Sequence, residues 1–357
     1  MTDFEEYIIE GEPERKEKSY AWQTAIGLQE TDGLKPSSYL IETARQNIEG
    51  DITIDEVRHL IDNYYKANPT KSESDRTEEA DKVSVRITEI LSEKAFNFST
   101  TEYISIHKRL FEGIYGFAGK IRDYNITKKE WVLNGETIYY TGASNIRATL
   151  NHDFEQEKRF DYRDKNLVQI VQHIAEFTSK IWQVHPFGEG NTRTTAVFMI
   201  KYLRTLGFNV KYDLFAQNSW YFCNALVRAN YKDFKNNVYA TKEYLERFFR
   251  NLLLDENNIL KNRELLIDST LKSISQSAKK QENTVSKCKI CTLDCTLEEH
   301  LVLEFLKTNP QATQKEIATH LKKSERTAKT ITTNLQQKNL LQRSGGKRFG
   351  RWDVKEQ

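Results

Sequence analysis

The sequence predicts a mainly α-helical protein that ends in a winged helix-turn-helix. Its 357 residues include 5 prolines and 15 glycines, so few positions interrupt a helix. Apolar residues recur with helical spacing through most of the chain before residue 290. One strong hairpin signal, Asn134-Gly135, stands between the β-prone runs EWVL and ETIYY. We therefore expect a helical bundle with a short β-hairpin flap, followed by a smaller C-terminal domain.

Composition and charge narrow the classes of protein that the chain can represent. Hydrophobic residues make up 38% and charged residues 29%, an ordinary balance for a soluble protein with a core. The net charge is +2, but residues 296–357 carry +5 and the rest −3, so a basic module follows a slightly acidic body. No run reaches the roughly 18 apolar residues of a membrane helix. The acidic N-terminus does not resemble a signal peptide, so we expect a cytoplasmic protein without a membrane partner.

Changes of pattern along the chain divide it into four predicted segments. Residues 1–80 form an N-terminal helical region, and residues 81–250 form a catalytic core. Residues 251–295 are predicted to form a helical linker, and residues 296–357 are predicted to form the winged helix-turn-helix. Long polar helices are expected within 237–286, where they would support a homodimer or act as a spacer.

Two adjoining helices are predicted in the N-terminal region from their end signals. The stretch SSYLIETARQNIEG, residues 37–50, has apolar residues on one face and Gly50 at its end. Thr53 and Glu56 then have the spacing of a capping box, which opens the next helix.

The stretch HPFGEGNTR, residues 185–193, lies between two predicted helices, one spanning roughly 165–183 and one that begins near Thr192. Free backbone N–H groups at the second helix favour an anion. Gly188 and Gly190 let the backbone approach a phosphate closely, and Arg193 can donate to phosphate oxygens. These features predict that residues 185–193 form a phosphate-binding loop, which we call the cradle.

The remaining side chains of this stretch suggest chemistry on that phosphate. Glu189 would be repelled by a phosphate unless a cation lies between them, which indicates Mg²⁺. His185 can accept a proton from an attacking hydroxyl near neutral pH. The apolar Phe187 is expected to be buried in the core and to fix the loop there. The plainer alternative is a turn between two core helices with an incidental histidine.

These nine residues resemble the motif HxFx(D/E)GNGRxxR of the Fic family. The resemblance extends to residues 106–126 and to a flap at 128–140, and covers roughly 80–250. It implies a Fic-like helical bundle that transfers AMP from ATP to a Ser, Thr or Tyr hydroxyl of a target protein. It also implies that the flap binds the target chain by strand pairing. The roles that it implies are a base for His185, Mg²⁺ binding for Glu189, and phosphate binding for Gly190, Asn191 and Arg193.

Two positions depart from the family pattern. Thr192 replaces the second glycine, which predicts backbone strain in the cradle, although its hydroxyl can add a donor for the phosphates. Ala196 replaces the second arginine, which in the family usually holds the γ-phosphate. Transfer of UMP or GMP, or of a phosphoryl group from an inverted nucleotide as in the related Doc toxins, therefore stays open.

A glutamate in the N-terminal region resembles the inhibitory residue of the family pattern (S/T)xxxE(G/N). Glu49-Gly50 matches the ending, whereas Arg45 stands at the Ser/Thr position. A carboxylate placed where the γ-phosphate belongs would exclude ATP. Since the usual arginine partner is Ala196 here, we expect Glu49 to pair with Arg193. An ordinary helix end with an exposed Glu49 is the alternative.

Three clustered cysteines raise the question of zinc. Cys288, Cys291, Cys295 and His300 offer possible ligands, but their spacing is tight. Reduced thiols in a linker are the favoured interpretation, with Zn²⁺ as the lesser one.

The C-terminal segment could bind DNA. Ser324 is predicted to cap a recognition helix, and basic residues in that helix and in the wing suit a phosphate backbone. The residues in question are Arg326, Lys329, Thr330, Thr333, Lys347, Arg348 and Arg351. Protein contacts are the alternative use of this segment.

The sequence leaves two functions in competition. One is an autoinhibited nucleotidyltransferase, and the other is a DNA-binding regulator that binds nucleotide without turnover. His185, Glu189, Asn191 and Arg193 together favour the enzyme, whereas Thr192 and Ala196 favour the regulator.

Overall fold

The computed structural model describes residues 4–69, 75–210, 213–267, 295–345 and 350–355. It groups the chain into two compact units, of which the first contains residues 1–158 and 175–267, and the second contains 159–174 and 268–357. The predicted boundary at residue 80 therefore lies inside the first unit.

The described residues up to 267 are mainly helical, as the sequence predicts. The helices are α1 Glu5–Glu10, α2 Pro13–Gly27, α3 Ser38–Glu49, α4 Ile54–Ala67, α5 Thr77–Ser92, α6 Thr100–Phe111, α7 Ile146–Arg159, α8 Leu167–Val184, α9 Asn191–Thr205, α10 Asp213–Asn230 and α11 Glu243–Leu254. None of the described helices is both long and apolar enough to cross a membrane.

Helix α9 lies at the centre of the first unit. Every residue from Asn191 to Leu203 is buried, and α9 packs against α5 and α6. Two of its polar residues are satisfied within the helix, because the hydroxyls of Thr194 and Thr195 donate to the carbonyls of Gly190 and Asn191, at 2.9 Å and 2.8 Å. A helix buried on all faces holds its first turn in a fixed position, which matters for the loop before it.

The end signals predicted in the N-terminal region are confirmed. Ser37 caps α3 by accepting from the Leu40 N–H, and Gly50 ends it with a φ of 90°. Thr53 and Glu56 form the capping box at the start of α4.

The expected β-hairpin at 128–140 does not form as a pair of strands. Asn134 and Gly135 do turn with positive φ, at 55° and 88°, and Glu130 N–H donates to Glu136 O at 2.9 Å. Residues Trp131–Leu133 instead form a 3₁₀ turn that buries Val132 and Leu133 together. Two adjacent buried side chains break the alternation that a strand needs.

The expectation of long polar helices within 237–286 is wrong for the residues that the structure describes. There the chain forms α11, whose face with Leu245, Phe248, Phe249 and Leu252 is buried. It then continues without an α-helix to residue 267. Residues 268–286 lie outside the described part.

The second unit contains the predicted order of C-terminal elements. They are α12 Leu297–Thr308, α13 Gln314–Leu321, α14 Glu325–Gln337, β1 Leu341–Ser344 and β2 Arg351–Val354. The strands are antiparallel, with Leu341 opposite Val354. Trp352 is buried on β2, and its indole donates to Ala312 O at 2.9 Å.

Candidate active site

The stretch 185–193 turns sharply between α8 and α9. His185 has a φ of 48° and Gly190 a φ of 77°. A Cβ on Gly190 would lie 2.3 Å from the Phe111 ring, so both space and backbone conformation require glycine. A Cβ on Gly188 would lie 2.7 Å from the Tyr124 hydroxyl. The close approach that the sequence predicts at Gly188 is thus made by a protein side chain.

Asn191 braces the loop from inside. Its Oδ1 accepts from Phe187 N at 3.0 Å, and its Nδ2 donates to Phe187 O at 2.9 Å. Phe187 is fully buried, as predicted for an anchor. The amide group of Asn191 therefore serves the shape of the cradle.

His107 supports the loop from helix α6. Its ring stacks on Phe187 with centroids 3.6 Å apart. Gly119 N–H donates to its Nδ1 at 2.9 Å, so its Nε2 carries the proton and donates to Glu189 O at 3.0 Å. Burial lowers the pKa of His107 to about 4, so the ring is neutral near pH 7.

Arg122 joins the loop to the flap, which comprises residues 128–140. Its guanidinium donates to carbonyls of the loop and of residues that flank the flap, and its backbone N–H donates to Pro186 O at 2.8 Å. The side-chain acceptors are His185 O at 2.8 Å, Tyr124 O at 2.6 Å, Thr141 O at 2.6 Å and Val184 O at 3.4 Å. Arg122 thereby holds the start of the loop beside the segment that leads to the flap.

His185, the predicted base, is 2% exposed. Its ring lies 4.2 Å from that of Tyr140 and 5.4 Å from that of Trp182, between centroids. Burial and the Lys128 charge hold the pKa of His185 well below its ordinary value, so the ring is neutral and can accept a proton. Its Nδ1 is buried and has no hydrogen-bond partner among the described residues.

Glu189, the predicted metal ligand, has a carboxylate at the mouth of the cradle. Its side chain is 30% exposed, and its Oε1 lies 3.6 Å from Lys128 Nζ. Burial lowers the pKa of Lys128, but the carboxylates of Glu189, Asp32 and Glu130 outweigh it, and the net shift is upward. Lys128 is therefore charged at neutral pH.

Arg193, the predicted phosphate clamp, is fully buried and already occupied. Its Nε lies 2.7 Å from Asp32 Oδ2, and its Nη2 lies 2.7 Å from Glu79 Oε1. Its Nη1 donates to Gln29 Oε1 at 2.9 Å. Burial raises the pKa of Glu79, but Arg76, Arg193 and Tyr115 lower it more strongly, so Glu79 is ionised beside Arg193. These carboxylates hold the guanidinium where a phosphate would.

The expected pair between Glu49 and Arg193 is wrong. Glu49 is exposed at the end of α3 and accepts a hydrogen bond from the Tyr7 hydroxyl. Asp32, which ends the 3₁₀ turn Leu28–Asp32, contacts Arg193 instead. Gly33 follows Asp32 just as Gly50 follows Glu49, so an acidic residue before a glycine does not by itself distinguish the two carboxylates.

The two departures from the family pattern have different consequences. Thr192 lies within α9 and has no positive φ, so the backbone strain predicted for it is wrong. Its Oγ1 accepts from the Trp182 indole at 3.0 Å, which turns the hydroxyl toward the core. Ala196 is fully buried, so α9 offers no second guanidinium at that position.

Sequence reasoning missed several residues that shape this site. They are Asp32, Glu79, His107, Arg122 and Lys128. The sequence identifies the segments that carry His107, Arg122 and Lys128, but no motif assigns these three side chains to the site. Asp32 precedes Gly33, but acidic-glycine pairs recur in the chain and do not by themselves single it out.

Comparisons with known proteins find similarity over the part of the chain that contains this site. Residues 97–203 match the model of the Fic/DOC family, and this range contains the whole stretch 185–193. The protein adenylyltransferase VbhT from Bartonella schoenbuchensis is 26% identical over 179 residues, which are 46% of this chain. The chain spans 36% of the length of that curated relative.

A solved structure is also similar to this chain. It is the N-terminal FIC domain of the Bep8 protein from Bartonella sp. 1-1C. The identity is 16% and the TM-score is 0.36, over 57% of this chain and 87% of that one.

Proposed function

We propose that the chain is a protein adenylyltransferase that transfers AMP from ATP to a Ser, Thr or Tyr hydroxyl of a target protein. The observation that carries the proposal is the loop of residues 185–190. It places a neutral, buried His185 and a partly exposed Glu189 directly before the N-terminus of the buried helix α9. A proton acceptor, a carboxylate and the first backbone N–H groups of a helix thus lie within residues 185–193.

In the proposed reaction the target hydroxyl attacks the α-phosphorus of ATP. The new bond joins the target oxygen to phosphorus, the bond to the bridging oxygen breaks, and pyrophosphate leaves with its electron pair. His185 accepts the hydroxyl proton, because its lowered pKa keeps the ring neutral and therefore available as an acceptor. The N–H groups at the start of α9 stabilise the phosphate oxygens.

Glu189 fits a role in holding Mg²⁺. Among the described residues no group of three or more His, Cys, Asp or Glu side chains could bind a metal by itself. Mg²⁺ is usually bound by one or two carboxylates together with substrate phosphates and water, and a single, partly exposed carboxylate suits that. When bound, the ion would neutralise charge on the phosphates.

Inhibition in this proposal comes from Asp32 rather than from Glu49. Asp32 and Glu79 occupy the guanidinium of Arg193, and an internal carboxylate in contact with a phosphate-binding arginine competes with the nucleotide. Asp32 is the partner that we expect to leave Arg193 on activation. Glu79 is held in place by Arg76 and Tyr115 as well. Opening of the 3₁₀ turn at Leu28–Asp32 would free one side of Arg193.

The flap is the proposed contact for the target protein. Tyr139 is 86% exposed and Trp131 is 48% exposed, and exposed aromatic side chains are common in binding surfaces. Tyr140 lies over His185 and donates to Glu130 Oε1 at 3.0 Å, so the two ends of the flap meet above the base. A hydroxyl presented by a chain on the flap would therefore come near His185.

A nucleotide-binding regulator that binds DNA is the second candidate. In α14, Ser324 caps the helix, and Ala328, Ile331 and Leu335 are buried. The opposite face exposes Arg326, Lys329, Thr330 and Thr333, and Arg351 is exposed on β2. DNA binding that weakens as salt rises would support this function. Of the wing residues, Lys347 and Arg348 lie outside the described part, as do Cys288 and Cys291 of the possible zinc site.

Intact-mass spectrometry tests the proposed function directly. Wild type, Asp32→Ala and Asp32→Ala/His185→Ala would each be incubated with Mg²⁺ and ATP, GTP, CTP or UTP, with and without cell lysate as a source of targets. We expect an AMP mass gain, on the chain itself or on a target, that is largest in Asp32→Ala and lost without His185. A mass gain with another nucleotide would identify that nucleotide, rather than ATP, as the donor. A mass gain of phosphate alone would indicate an inverted nucleotide. No gain in any arm would favour the regulator.

A further inference from the structure

The cradle is short of cations for a nucleoside triphosphate. Arg193 is matched by Asp32 and Glu79, and Ala196 supplies no charge from the next turn of α9. A triphosphate carries several negative charges, which proteins usually meet with arginine, lysine or metal ions. A further cation near the loop would therefore bear directly on nucleotide binding.

Lys128 places an ammonium group at this position. Its Nζ lies 3.6 Å from Glu189 Oε1, and its side chain is 43% exposed. Among the described residues this ion pair is longer than a hydrogen bond, and the ammonium makes no hydrogen bond there. Its three N–H donors thus remain for a ligand.

The Asp32 carboxylate interacts with the charges of both Arg193 and Lys128. The Asp32 carboxylate contacts Arg193 at 2.7 Å, and the same carboxylate acts on Lys128. The Lys128 charge also lowers the pKa of His185, and its Nζ lies 3.6 Å from Glu189 Oε1 in the loop that His185 opens. An internal anion that attracts both cations acts on them as a phosphate group would.

We propose that Lys128 binds the β- and γ-phosphates of the nucleotide and the pyrophosphate that leaves. It supplies from the flap the charge that α9 lacks at Ala196. The inference rests on the proposed function and extends it to a further binding residue. Lys128 adds no step to the reaction, because it stabilises the negative charge that collects on pyrophosphate as the bond to the α-phosphorus breaks.

The position of Lys128 on the flap also gives it a role in selecting the nucleotide. A nucleoside monophosphate lacks the groups that Lys128 would bind, so its affinity should depend little on this residue. A triphosphate or free pyrophosphate should depend on it strongly. The flap would then contact both the target chain and the leaving group.

Calorimetric titration with ATP, AMP and inorganic pyrophosphate tests the proposal on the full-length protein. The parent proteins are wild type and Asp32→Ala, each compared with Lys128→Met, Lys128→Arg and the neighbouring control Lys129→Met, which alters an exposed lysine. We expect Lys128→Met to weaken ATP and pyrophosphate binding about 10- to 100-fold, the range for a lost charged hydrogen bond. AMP affinity should change less than about threefold, and Lys128→Arg should keep most of the affinity.

Several results would overturn the assignment. They are unchanged ATP and pyrophosphate binding in Lys128→Met, an equal loss for ATP and AMP, an equal loss in Lys129→Met, and no ATP binding to any parent protein. The outcome is separable from that of the proposed function. If the expected pattern appears but mass spectrometry finds no nucleotide transfer, the adenylyltransferase proposal fails and the phosphate site stands. If transfer occurs and Lys128→Met keeps the parental KM for ATP, this inference alone fails.

Discussion

Arg193 and Lys128 are cations of the same site, but the fold holds them in opposite ways. Arg193 is fully buried, and its donors face Asp32, Glu79 and Gln29 at 2.7–2.9 Å. Lys128 is 43% exposed and lies 3.6 Å from Glu189. Burial makes the Arg193 pairs strong and costly to break, whereas the Lys128 pair is weakened by solvent.

Under the proposed function, the motif supplies a phosphate-binding arginine while the rest of the chain controls its use. Arg193 stands where the family pattern expects it, but its partners come from a turn and a helix far away in sequence, at Asp32 and Glu79. The exposed cation comes from the flap. We infer that the buried half of the site sets the resting state and that the exposed half meets the nucleotide first.

The largest expected effect is on the base. His185→Ala, made in the Asp32→Ala background, should lower the rate of AMP transfer about 10²- to 10⁴-fold, as expected for the loss of general base catalysis. The ATP dissociation constant should stay within about threefold, because the ring is not expected to bind the phosphates. Transfer rates and calorimetry measure the two quantities. His59→Ala, at an exposed position of α4, is the control, and equal loss in both variants would contradict the assignment.

The comparison of the two cations can be tested by stability. Arg193→Met should lower the free energy of unfolding by about 3–5 kcal/mol, since it leaves Asp32 and Glu79 close together without their cation. Lys128→Met should change it by less than about 1 kcal/mol, because its pair is partly exposed. Urea unfolding at pH 7 measures both. Similar values for the two variants would remove the distinction on which the comparison depends.

The buried histidines predict how stability depends on pH. The folded-state pKa of His107 is about 4, below the ordinary value of about 6.5, so the unfolded chain binds a proton first as the pH falls. His107 should therefore cost stability between pH 6.5 and 4, by up to about 3 kcal/mol, and His185 should act in the same direction. Urea midpoints should fall less steeply over this range in His107→Gln than in wild type. The exposed control His59→Gln should follow wild type, and an unchanged slope in His107→Gln would refute the explanation.

The glycines give the smallest contrast between the buried and exposed halves. Gly190→Ala forces a Cβ against Phe111 at a positive φ and should cost about 2–3 kcal/mol. Gly135→Ala has a similar φ but open space around it, so it should cost about 1 kcal/mol. Thermal unfolding of the two variants measures the difference. Equal costs would mean that Phe111 moves aside and that the loop is less tightly fixed.

Local signals in the sequence predicted much of the fold. Ser37, Gly50 and the Thr53–Glu56 capping box defined helix ends correctly, because each signal acts within a few residues. The Asn134-Gly135 turn was also correct, but the strands beside it were not. The burial of Val132 and Leu133 depends on tertiary packing, which a local pattern does not contain.

The site was predictable only as far as the motif extends. His185, Glu189 and Gly190 could be placed because they lie within one loop. The partners of Arg193 could not, because pairing across 114 residues to Glu79 is decided by the fold. The choice of Glu49 over Asp32 shows the same limit, since both carboxylates precede a glycine and the structure brings one of them to the arginine.

The central claim is that Asp32, and not Glu49, keeps the nucleotide from Arg193. The most direct measurement is the dissociation constant for ATP with Mg²⁺ of wild type, Asp32→Ala and Glu49→Ala, by calorimetry at pH 7. We predict that Asp32→Ala binds ATP about 10-fold or more tightly than wild type, since it removes a competing charged contact. Glu49→Ala should match wild type, because Glu49 is exposed and contacts Tyr7. Tighter binding in Glu49→Ala with no change in Asp32→Ala would contradict the claim.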